Sequence, residues 1–77
     1  MEATIDLRLF ATLGVHLPEN ASRLPIEEGM TISRLLRQIP LAESEAKLIF
    51  VNGARADLKT QLYSGDRVGI FPPVGGG

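Results

Sequence analysis

Apolar and polar residues alternate along residues 3–10, with Ile5, Leu7 and Leu9 on one side and Thr4, Asp6, Arg8 and Phe10 on the other. This period of two is the mark of a strand with one buried face. The alternation then stops. Residues 11–21 carry Gly14, Pro18 and Asn20, turn formers that predict a loop. A second strand is expected over residues 22–27, with Leu24 and Ile26 on one side and Pro25 on the other. Proline cannot donate to a sheet ladder, so this strand belongs at an edge or ends there. The two strands read most simply as an antiparallel pair.

The period changes after Gly29. Ile32, Leu35, Leu36 and Ile39 recur at helical spacing, with Arg34, Arg37 and Gln38 off the stripe. Thr31 is placed to cap the first turn through its hydroxyl, and Pro40 disfavours helical geometry at Ile39 and ends the helix. A helix this short is unstable alone and must lie on the sheet. Residues 41–46 are expected to be a loop. Residues 47–51 form an apolar run that enters Asn52-Gly53, the strongest local signal for a type I′ hairpin, because both central residues of that turn need positive φ. A short strand over residues 54–56 should return, and residues 58–64 connect to Gly65-Asp66. In the last strand, residues 67–71, Val68 and Ile70 alternate with Arg67, Gly69 and Phe71.

The order strand, strand, helix, strand, short strand, strand is that of a β-grasp: an α+β fold with a mixed sheet of four to five strands and one main helix on one face. In that fold the last strand lies beside the first, so the chain leaves from the middle of the sheet. Residues 1–71 are expected to form the domain and residues 72–77 a free tail, Pro72-Pro73-Val74-Gly75-Gly76-Gly77. Prolines hold φ and donate no hydrogen bond, which projects the chain stiffly from the sheet, whereas glycines pass a narrow channel and accept whatever backbone a partner imposes.

Composition removes several function classes. The chain has 77 residues and no cysteine, so it holds no disulfide framework, cysteine zinc site or cysteine nucleophile. A domain of this size buries only about 60% of its unfolded surface and depends on packing, for which a hydrophobic fraction of 44% suffices. A formal net charge of −1 argues against nucleic-acid and anionic-membrane partners. Met1 leads directly into the alternating pattern, without the basic patch and apolar run of a secretion signal, so a cytoplasmic location is expected. His16 lacks a second ligand, while Glu27-Glu28 and Glu43-Ser44-Glu45 sit in turn-like polar segments and read as solvated surface.

Four stretches, Leu9-Phe10-Ala11, Val51-Asn52-Gly53, Gly65-Asp66 and above all Phe71-Pro72-Pro73-Val74 before the glycines, resemble the ubiquitin-like sulfur carriers of the MoaD and ThiS family. The likeness is strongest to its MoaD members, small subunits of molybdopterin synthase. Gly75 stands where MoaD proteins usually carry a variable small residue, and the segment between Ile39 and Lys47 is shorter than in typical MoaD. The resemblance implies that a MoeB/ThiF-like, ubiquitin-activating-type enzyme adenylates the carboxylate of Gly77 at the expense of ATP. Sulfur then displaces AMP to leave a thiocarboxylate that serves molybdopterin (molybdenum or tungsten cofactor) biosynthesis with a MoaE-like large subunit. Thiamine or another pathway, with a different sulfur-accepting synthase, remains an alternative destination. Conjugation to proteins through the terminal glycine is the other alternative. The chain would be a cosubstrate with no stably bound cofactor and no metal. Pro72, Pro73, Val74, Gly75 and Gly76 would thread the partner's active site.

Strand parity adds an expectation about the partner's docking surface. If the apolar stripe of each strand faces the helix, Phe10, Phe50 and Phe71, which are all three phenylalanines of the chain, share the opposite face with Arg8 and Arg67. Exposed Phe10 and Phe71 would support a binding surface, and burial of both against the helix would exclude it.

Overall fold

A computed structural model describes residues 2–73. Its sheet has five strands in the order β2-β1-β5-β3-β4. These are β1 (Ala3–Leu9), β2 (Leu24–Ile26), β3 (Leu48–Val51), β4 (Ala54–Ala56) and β5 (Arg67–Phe71), with helix α1 (Ile32–Gln38) between β2 and β3 in the chain. β2 runs antiparallel to β1, and Pro25 does lie on an edge strand. β5 is parallel to β1 and antiparallel to β3, which makes it the central strand. This is the ubiquitin-like β-grasp.

The apolar parity places the core. Ile5, Leu7 and Leu9 of β1, Ile49 of β3, and Val68 and Ile70 of β5 are buried together with Ile32, Leu35 and Leu36 of α1. Val51 is only partly buried and packs at the margin of this cluster. The loop after β1 is more ordered in shape than its composition suggests: Ala11–His16 and Ala21–Arg23 are short 3-10 turns that insert Leu13 and Ala21 into the core. Glu43–Glu45 is a third such turn, in the segment expected to be loop.

The segment between β4 and β5 joins the helix to the sheet. Leu62 is fully buried and exchanges backbone hydrogen bonds with the chain before α1: Gly29 donates to Leu62 O at 2.7 Å, and Leu62 donates to Met30 O at 2.7 Å. The same segment caps the helix. Ile32 and Ser33 donate to Thr60 O and Leu58 O, each at 2.9 Å, and Arg34 donates to the Thr31 hydroxyl at 3.2 Å. Three of the amides that a helix start leaves without intrahelical partners are thereby satisfied.

At the hairpin, Asn52 and Gly53 have φ of 53° and 82°, the pair of positive values a type I′ turn requires. Among the described residues no helix is long and apolar enough to cross a membrane.

Candidate functional site

The chain leaves the sheet at Phe71, the last residue of the central strand, so β1 and β3 flank the root of the tail on either side. Lys47 donates to Phe71 O at 3.0 Å and Phe10 donates to Ile70 O at 3.0 Å. Both backbone bonds hold the end of β5 in place and fix where the tail begins. Pro72 and Pro73 follow without sheet pairing. Val74, Gly75, Gly76 and Gly77, to which the threading and adenylation roles are assigned, lie outside the described residues.

On the face away from α1 the structure brings the three phenylalanines together. Phe10 and Phe71 stack with centroids 4.3 Å apart and ring planes 7° from parallel, and Phe50 meets Phe71 edge-on at 5.9 Å and 84°. Each such pair contributes about 0.5–1.5 kcal/mol beyond area burial. Neither Phe10 nor Phe71 is buried against the helix: Phe10 is 38% exposed and Phe71 half-buried. The arrangement follows from the register. Phe71 lies opposite Leu48, one position beyond the pairing of Ile49 with Ile70, so it shares its side of the sheet with Phe50. Just past β1, Phe10 precedes Ala11, whose φ of 54° turns the chain away and lets the ring lie over the neighbouring strand.

A hollow of about 460 Å³ opens between these rings, walled by Arg8, Phe10, Phe50, Arg67 and Phe71 and floored by Gly69. Gly69 is the outward-facing position of β5 opposite Arg8 on one side and Phe50 on the other. A Cβ there would lie 3.2 Å from Cε2 of Phe10, so the missing side chain is what allows Phe10 to lean across the strand. Sequence reasoning did not single out Gly69. The available signal was an isolated glycine in an otherwise alternating strand, which marks a close approach of another group.

Arg8 and Arg67 are exposed at the rim. Arg8 reaches Asp6 at 3.4 Å, a solvated pair that contributes little. Arg67 is placed through its backbone amide, which donates to Oδ1 of Asn52 at 2.9 Å. The acids outside this face are used locally: Glu27 pairs with Arg34 at 2.9 Å, Glu28 accepts from the Ser64 amide at 3.0 Å, and Glu43 accepts from the Ser33 hydroxyl at 3.2 Å. The assembled surface offers aromatic area and guanidinium donors, groups suited to recognition.

Comparison with known proteins places this geometry. The ThiS family model matches residues 7–77. Among solved structures the chain is similar to SAMP1 from Haloferax volcanii, with 25% identity and a TM-score of 0.68, over 97% of this chain and 100% of that one. It is also similar in fold to a second crystal structure, of H. volcanii small archaeal modifier protein 1, with 23% identity and a TM-score of 0.69 over 94% of this chain and 99% of that one. No curated protein matches the chain.

Proposed function

The chain belongs to the ThiS family of ubiquitin-like carriers and modifiers, and on that premise we propose that it is a sulfur carrier for molybdopterin assembly. One observation carries the carrier part of this reading: the family match runs from residue 7, within β1, through Gly77, so body and glycine tail belong to one familial unit. The molybdopterin destination rests on the likeness of Phe71-Pro72-Pro73-Val74 to MoaD members. A carboxylate is a poor electrophile, because its charge repels nucleophiles and oxide leaves badly. Adenylation of the Gly77 carboxylate by a MoeB/ThiF-like enzyme removes the charge and supplies AMP as leaving group. ATP is consumed by that enzyme and not held by the carrier. Sulfur then attacks the acyl carbon and expels AMP. Sulfide gives the thiocarboxylate directly, and a persulfide gives an acyl disulfide that a thiol reduces to the thiocarboxylate. A MoaE-like subunit takes that thiocarboxylate as its sulfur donor. A side chain at positions 76 or 77 would obstruct in-line attack in a confined site, which accounts for Gly76 and Gly77. The chain is the cosubstrate in this scheme. The activating enzyme and the synthase supply the catalytic groups.

The likeness to SAMP1 favours a second reading, in which the same activated glycine is transferred to an amine on another protein. Incubation with ATP, the activating enzyme and a sulfur source, followed by intact-mass measurement, separates the two. Replacement of one oxygen by sulfur at the C-terminus is the outcome expected of the carrier. Adducts on lysines of other proteins, with no thiocarboxylate, would instead establish the modifier.

A further inference from the structure

We propose that Asn52 is a latent deamidation site, which the folded hairpin holds unreactive and which an opened hairpin converts irreversibly. The conversion is independent of whether the tail carries sulfur or joins proteins.

Asparagine is a thermally labile residue, and a following glycine makes it more so, because no Cβ shields the next backbone amide. Once deprotonated by hydroxide, the nitrogen of Gly53 can add to Cγ of Asn52 and close a five-membered ring. The Cγ–Nδ2 bond breaks, and ammonia leaves with a proton from water. Water then opens the succinimide at either carbonyl, giving aspartate or isoaspartate. No oxidant or reductant is consumed: one water enters for each ammonia lost. The chain has two asparagines, and the other, Asn20, precedes Ala21, whose methyl group hinders the same attack.

In the folded hairpin the reacting atoms are held apart. Asn52 has φ of 53°, in the left-handed region where ψ is about +30 to +60°. Such a ψ places the Gly53 nitrogen nearly opposite Cβ across the Cα–C bond, whereas ring closure needs both on the same side. The side chain is pinned as well. Nδ2 donates to Oδ1 of Asp66 and Oδ1 accepts from the Arg67 amide, each at 2.9 Å. The second bond draws charge onto Oδ1 and by itself would assist addition. Geometry overrules it, since a nucleophile on the far side of the Cα–C bond does not reach Cγ. Asn52 and Gly53 are exposed, so access of solvent base is not what protects them.

Opening removes both restraints. β4 is held to β3 by three residue pairs at the edge of the sheet, and short edge elements open more readily than a whole domain unfolds. The products do not restore the native contacts. Aspartate at position 52 presents a carboxylate to Asp66 in place of a donor, and isoaspartate lengthens by one atom the turn that pairs Val51 with Ala54. Because Asn52 also holds the Arg67 amide, the change reaches the start of β5, at whose other end the tail departs. A converted chain therefore opens again more easily.

The test follows the full chain at mildly alkaline pH, in one sample folded and in the other in concentrated guanidinium chloride. Trypsin, added after the denaturant is removed, releases residues 48–55 with Asn52 and residues 9–23 with Asn20, and mass spectrometry reads the exchange of NH2 for OH in each. Conversion of Asn52 is expected to be roughly tenfold or more faster in denaturant, because the folded chain reacts only through its opened fraction. Asn20 should stay largely intact in both samples. The converted chain, separated by ion exchange and refolded, should melt roughly 4–8 °C below the unconverted one. Equal Asn52 rates in the two samples would overturn the protection. An Asn52 as persistent as Asn20 in denaturant would remove the site itself. A converted chain that melts with the unconverted one would refute the loosening of the sheet.

Discussion

At Asn52 one exposed amide side chain ties the hairpin to the start of the central strand. Its Nδ2 donates to Oδ1 of Asp66 at 2.9 Å and its Oδ1 accepts from the Arg67 amide at 2.9 Å, while Oδ2 of Asp66 accepts from the Tyr63 amide at 2.9 Å. Asn52 thus serves two needs, the positive φ of the turn and a clamp between segments 14 residues apart. Asn52→Asp is nearly isosteric but replaces the donor with a second carboxylate facing Asp66. A loss of about 1–3 kcal/mol is expected, since a hydrogen bond becomes a like-charge contact. In a domain of this size each kcal/mol lowers the midpoint by roughly 4–8 °C. Thermal melts at neutral pH of the wild type, Asn52→Asp and Asn52→Gly give the comparison. Asn52→Gly should fall between the other two, because it keeps the positive φ and lacks the repulsion. An Asn52→Asp protein that melts with the wild type would refute the clamp. The turn was legible in the dipeptide Asn52-Gly53, because its cause is local. The clamp was not, because Asp66 reaches Asn52 only after β5 is in place.

The helix and the connection after β4 stabilise each other. α1 has seven residues, too few to stand alone, and its apolar stripe was legible from spacing because Ile32, Leu35 and Leu36 face one direction. What spacing left undetermined was the role of residues 58–64, whose apolar members Leu58 and Leu62 follow no single period. Leu62 pairs with the chain before α1 and the partly buried Leu58 accepts from Ser33 in the first turn of α1, both non-local contacts. Thr31→Ala removes the hydroxyl acceptor for the Arg34 amide and should cost about 1 kcal/mol, a modest fall in the chemical denaturation midpoint with unchanged m-value. Leu62→Ala opens a fully buried site and should cost about 2–5 kcal/mol, enough to leave a small domain partly unfolded at room temperature. If Leu62→Ala proves as mild as Thr31→Ala, the connection is not the support described. The shorter extent of β2, three residues against the expected six, has a similar explanation: residues 22 and 23 lie in or beside the turn that inserts Ala21 into the core.

Across the described residues, topology completes the sheet just ahead of the segment proposed to carry the chemistry. Parallel pairing with β1 and antiparallel pairing with β3 put β5 at the centre of the sheet, and its last core residue is Ile70. Among the described residues, every member of the buried apolar cluster therefore precedes Phe71, and the last strand ends before the prolines. The central place of β5 was readable from the order of strands, because that order is a property of the chain in one dimension. The Gly69 hollow required three strands in register and was not. Deleting Gly76 and Gly77 should then act on one function alone. The truncated chain is expected to melt within about 1 °C of the wild type, since a change of a few tenths of a kcal/mol moves the midpoint little in a domain of this size. It should also occupy the adenylating enzyme as a competitor, because Arg8, Phe10, Phe50, Arg67 and Phe71 are intact. It should form no adenylate and no thiocarboxylate. The measurement is inhibition of ATP–pyrophosphate exchange driven by the full-length chain, with the truncated chain added at increasing concentration. Competitive inhibition with a constant near the carrier's own KM places recognition in the sheet face and reaction in the tail. If the truncated chain fails to compete at tenfold excess, recognition resides in the glycines themselves and the aromatic face has another role.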